Sequence, residues 1–161
     1  MAKHKLDRMF EFVGSCDDPG KLRNIVSNAR KRGAEDLAEA AFRKLVAVLP
    51  SEEPGTVEHD FWRTIHAFEH VLGEERGRTT RLSRTRQKVN RVGVHRTLVD
   101  WALGKREPEG FAMLLERGLA ELAGESIVLR HPDKFGPEIV GAATARLEAA
   151  GVDIAAVASY R

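Results

Sequence analysis

Apolar residues return along this chain every three to four positions. Leu6, Met9, Phe10 and Val13 fall at i, i+3, i+4 and i+7, and Leu22, Ile25, Val26 and Ala29 repeat the spacing. That spacing lines one face of an α-helix, whereas alternation at period two, the mark of a half-buried strand, is missing over any useful length. The chain therefore reads as all-α, a compact multi-helix bundle of about seven to nine helices without internal repeats.

Local signals set the expected boundaries. Asp18-Pro19 pairs a capping side chain with a proline at the first turn, and Gly33 fits the stop. A helix is expected over Glu35–Leu49, buried through Ala38, Phe42, Leu45 and Leu49, before the loop Pro50–Gly55. Thr56 can cap a helix reaching Leu72, with Phe61, Ile65, Phe68 and Leu72 on its core stripe; Gly73 to Thr80 reads as a loop. Two short helices, Ser83–Val92 and Val94–Leu103, are expected on either side of Gly93. Lys105 to Gly110 reads as a linker, followed by Phe111–Glu116, an apolar piece around Leu119–Leu129, and Pro137–Ala150.

Charge is distributed very unevenly. Residues 76–106 carry ten Lys or Arg and one acid, Asp100, a local charge of +9 in a chain whose formal charge is +2. The remainder is therefore acidic, and residues 107–161 hold nine acids against five bases. This suggests a helical body, 1–106, containing the basic segment, and an acidic C-terminal subdomain, 107–161, packed with it as one domain. The contrast reads as a surface built for a polyanion, with nucleic acid the expected one. An apolar content of 42 % with 31 % charge belongs to a globular chain. No apolar run approaches the roughly 18 residues of a membrane span. No signal peptide is recognised, and the lone Cys16 suits a reducing cytoplasm.

The basic segment has the chemistry of phosphate recognition. Arg76, Arg78 and Arg81 lie in a Gly-punctuated stretch with Thr80, and Ser83 stands at the start of the next helix. On that helix Arg84, Lys88 and Arg91 share one arc, Arg86 adds a further cation, and Leu82, Thr85, Val89 and Val92 form an adjacent apolar arc. A guanidinium fork bonds two phosphate oxygens at once, and hydroxyls supply supporting contacts. A solvated charged face is the competing reading, but neutralising acids at helical spacing are missing.

Two resemblances attach to these residues. Arg76-Gly77-Arg78 resembles the core of minor-groove arms of the AT-hook kind, with Thr79 where the hook has Pro. Thr85 to Gly104, with Val89 and Val92 before Gly93 and Val94, Val99 and Ala102 after it, resembles the helix-turn-helix motif of DNA-binding proteins. That resemblance implies a second helix in the major groove, with His95, Arg96 and Asp100 near the base edges.

A second cluster lies upstream. His59, His66 and His70 share a helix, and His66-Ala67-Phe68-Glu69-His70 matches the H-x-x-E-H string of inverzincin metalloproteases. Helical geometry puts this face about 150° from the Phe61/Ile65 stripe, so the imidazoles are expected to face solvent, and Arg63 among them disfavours a divalent ion. No metal or other cofactor is expected. Trp62 and Trp101 read as packing anchors rather than stacking platforms.

The expected function is a small cytoplasmic, helical nucleic-acid-binding protein, DNA favoured over RNA, acting as a regulator or accessory factor without membrane contact. A symmetric homodimer would suit groove reading, yet no heptad demands one. The alternatives are a metal-dependent nuclease, with Asp60, Glu69, Glu74 or Glu75 holding the ion, and a protein–protein adaptor docking an acidic partner on its basic face.

Overall fold

The computed structural model describes residues 2–106 and 109–161, with Glu109 described by its backbone alone. These residues form nine α-helices, one 3-10 turn and no strand. The helices are α1 (Ala2–Ser15), α2 (Pro19–Lys31), α3 (Glu35–Val48), α4 (Val57–Arg76), α5 (Ser83–Leu103), α6 (Glu109–Glu116), α7 (Gly124–Arg130), α8 (Pro132–Ala149) and α9 (Ile154–Ser159). The all-α expectation holds. Two compact units emerge, Met1–Ser51 and Glu52–Arg161, so residues 52–106 share a unit with the acidic segment that follows them.

In the first unit, the Asp18 carboxylate accepts a hydrogen bond from the Lys21 amide at 3.1 Å, and Pro19 occupies the first turn of α2. Gly33, at φ 70°, follows its end. Leu22, Val26 and Ala29 of α2 and Ala38, Ala41, Phe42 and Leu45 of α3 are buried where these two helices pack. The α1 stripe is covered less than its spacing predicts. Val13 is buried, but Leu6 is 43 % exposed.

The second unit is organised around its shortest segments. Every residue of α7 from Gly124 to Val128 is buried, and this helix packs on α4, α5, α8 and α9. Its Ile127 and Val128 join Phe61 and Ile65 of α4, Leu98 and Ala102 of α5, and Phe135 and Ile139 of α8 in the main core. Phe111, Ala123, Leu147 and Val157 form a second cluster.

α4 departs from its expected form in two ways. It runs a turn past Leu72, because Gly77 at φ 67° supplies the left-handed stop and the Arg78 amide returns to the Gly73 carbonyl at 3.2 Å. It is also buried around most of its circumference, His59 (4 % exposed), Asp60 and Arg63 included. The expectation that the histidine face points to solvent is therefore corrected at His59. A stripe calculation assumes one covered face, and α4 is covered by α5, α6 and α7.

α5 breaks where the sequence places the turn. Gly93 sits at φ 88°, ψ 168°, a conformation open to glycine alone, with helix on both sides. Twelve residues of unbroken helix would separate Lys88 from Asp100 by about 18 Å. Instead Lys88 Nζ lies 2.8 Å from Asp100 Oδ2, so the two halves fold towards each other. α8 contains a similar break at Gly136 (φ 79°, ψ 167°), after which Pro137 opens its long second half.

Candidate nucleic-acid interface

The basic segment begins at the last turn of α4, crosses the connection 77–82 and continues along α5. One acid from α4 fixes the start of α5. Glu69 Oε2 accepts from the Leu82 amide at 2.7 Å and from Arg86 Nε at 2.9 Å, while Oε1 accepts from Arg86 Nη2 at 2.6 Å. The Arg86 guanidinium also lies over the Trp62 ring, 5.2 Å from its centroid. Burial alone would raise the Glu69 carboxyl, but the hydrogen bonds from Arg86 and the Leu82 amide hold it below its ordinary value. Arg86 therefore serves as a strut.

Three more of the expected contact residues are engaged internally. Asp100 accepts from Lys88 and, at 3.0 Å, lies against Arg96 Nε. The hydrogen bond from Lys88, with the nearby Arg96 charge, lowers its carboxyl. His95 donates from Nε2 to the Lys134 carbonyl at 2.7 Å and stacks on Phe135, with centroids 4.8 Å apart and planes 5° from parallel. All three side chains that the helix-turn-helix resemblance assigns to base reading are thus committed to neighbours.

The other cations are not. Arg76, Arg78, Arg81, Arg84 and Arg91 are exposed and have no ion pair among the described residues. Lys105 and Arg106 share that state. Ser83 is exposed at the first position of α5, and half-buried Thr80 donates to the Arg78 carbonyl at 3.2 Å, bracing the loop. The far end of α5 is held from α8. Arg146 Nη1 donates to the Trp101 carbonyl at 2.5 Å and to Glu125 Oε1 at 3.0 Å, and Nη2 donates to the Gly104 carbonyl.

The carboxylates considered for a metal are dispersed. Glu69 is taken by α5, Glu74 lies 2.6 Å from His70 Nε2 and 3.1 Å from Arg117 Nη2, and Glu75 is exposed. His66 is half-buried, and no group of three metal-binding side chains gathers among the described residues. Asp60 instead anchors a buried cluster that sequence reasoning missed. It accepts from Arg63 Nη2 at 2.9 Å and from His131 Nε2 at 2.7 Å, with Arg130 Nε at 3.4 Å. Arg130 Nη1 donates to the Glu121 and Val157 carbonyls, and the Tyr160 ring lies 5.1 Å from the Arg63 guanidinium and 5.7 Å from that of Arg130. Burial would raise the Asp60 carboxyl, but His131, Arg130 and Arg63 outweigh it and hold it low. Burial, joined by the neighbouring Arg63 charge, lowers the Arg130 guanidinium despite its pairing with Asp60. The sequence marks this cluster only faintly: Arg130 and His131 close the apolar run Ile127-Val128-Leu129.

No family model, no curated protein and no solved structure matches the chain.

Proposed function

We propose that this chain binds nucleic acid, duplex DNA in preference to RNA, by clamping the phosphate backbone with Arg76, Arg78, Arg81, Arg84 and Arg91. The observation that carries the reading is that these five guanidiniums are exposed and lack an acid partner among the described residues, while Glu69 and Asp100 are spent on Arg86, Lys88 and Arg96. Such cations displace condensed counterions from a polyphosphate, and this release supplies sequence-independent affinity.

Duplex is favoured over single strand because the nearby indoles are occupied. Arg86 covers Trp62, and Trp101 stacks on Phe61 with centroids 5.5 Å apart, so one face of each indole is already taken, which leaves less on which unpaired bases could stack. With His95, Arg96 and Asp100 tied to neighbours, backbone contact contributes more than base reading. The role we propose for it, on cytoplasmic DNA, is regulatory or accessory.

The test is a filter-binding titration of duplex DNA, single-stranded DNA and RNA at two salt concentrations. Duplex should be retained best, with affinity falling steeply as salt rises. Changing Arg81, Arg84 and Arg91 together to Ala should weaken every duplex about equally. Undiminished affinity in that variant, or retention indifferent to salt, overturns the proposal.

A further inference from the structure

A cavity of about 120 Å³ lies inside the second unit, beneath the first turns of α5. Its walls are mostly apolar, with Ile65 and Phe68 from α4, Leu82 before α5, Trp101 from its second half, and Phe111 and Leu114 from α6. Two glycines let the aromatic walls sit against the backbone. A Cβ on Gly110 would come within 2.9 Å of the Phe68 ring, and one on Gly124 within 2.6 Å of the Trp101 ring. The space is close to the roughly 150 Å³ apolar cavity known to admit benzene.

Among the described residues three polar side chains reach this space, and they differ in availability. The Thr64 hydroxyl is committed to the Leu122 carbonyl at 2.5 Å. Glu125, 1 % exposed, is tied to Arg146. The half-buried Thr85 hydroxyl makes no hydrogen bond among the described residues. A ligand here meets ring faces, one hydroxyl able to donate or accept, and a fixed carboxylate. Among the described residues no cation lines the cavity, so an anionic guest would lose its hydration beside Glu125 without compensation.

We infer that the cavity is a binding site for a small, uncharged, single-ring aromatic molecule bearing a hydroxyl, with the ring between Phe68, Trp101 and Phe111 and the hydroxyl on Thr85. This site is independent of the basic face in its chemistry and is tested without nucleic acid. Phenol, benzene and benzoate are titrated into the full chain and followed by NMR and calorimetry. Phenol should saturate with a Kd on the order of 1 mM or tighter, shifting Thr85 and the Trp101 indole; benzene should bind more weakly and benzoate not at all.

Thr85→Val, nearly isosteric, should reduce phenol to the level of benzene while leaving benzene unchanged. Ala123→Leu, which extends an isopropyl group into the space, should weaken both by about tenfold or more. If that variant does not fold, Thr85→Val decides alone. Phenol without saturable binding, benzoate binding as well as phenol, or an undiminished phenol preference in Thr85→Val would each overturn the assignment.

Discussion

Neighbouring arginines in the basic segment have different roles, and the difference is set by what each touches. Arg84 is exposed and unpaired among the described residues, so Arg84→Ala should leave the melting temperature nearly unchanged while weakening DNA retention. Arg86→Ala should do the reverse. It strands Glu69, which is only 11 % exposed at its side chain, and should cost about 2 kcal/mol of stability in urea unfolding. Acid should expose the same logic at Asp60 and Glu69. Both carboxyls titrate lower in the folded chain than in the unfolded one, so the unfolded state takes up protons first as pH falls. Their contribution is complete above the ordinary carboxylate range, around pH 4 to 4.5, and is lost as pH falls through their lower folded values. A melting series from neutral pH into that acid range checks this, and Asp60→Asn should flatten its acid limb while lowering stability at neutral pH.

At the scale of elements, glycine marks both what the sequence discloses and what it hides. Gly93 could be read as a break because it stands between two apolar arcs, Val89 and Val92 before it and Val94, Val99 and Ala102 after it, where a turn glycine is expected. Gly93→Ala should cost about 1–3 kcal/mol, since the added Cβ meets no atom but the φ of 88° strains any side chain. Gly141 lies exposed inside α8 with open space around it, and Gly141→Ala should instead raise stability by about 0.5–1 kcal/mol. Urea denaturation of the two variants checks the opposite signs. The cation strip was legible because it is local in sequence. Its internal partners were not: Arg86 finds Glu69 through the fold of 77–82 back onto α4, His95 finds Lys134 from α8, and Asp60 finds His131 across the unit. Periodicity reports which face of a helix is apolar; it says nothing of how many neighbours a helix such as α4 acquires, and little of short segments such as α9, whose six residues make fewer than two turns.

For the whole molecule, electrostatics separate the proposed activity from the scaffold. Five phosphate contacts would give log affinity against log salt a slope of about −4 to −5, and removal of each arginine should lessen it by about one. Folding stability should respond to the same salt far less, because the internal pairs at Glu69 and Asp60 are shielded from solvent. Titration of binding and unfolding over one salt series tests both expectations. Glu69 tethers the Leu82 amide that leads into α5, and Arg146 grips the Trp101 and Gly104 carbonyls at its other end. That bent pair of helices is immobilised when the polypeptide folds, so little disorder remains for it to lose when a partner arrives. Association through α5 should be quick and change heat capacity only slightly; a slow phase, or a large heat-capacity term, would have to originate in the arginine-bearing connection ahead of it.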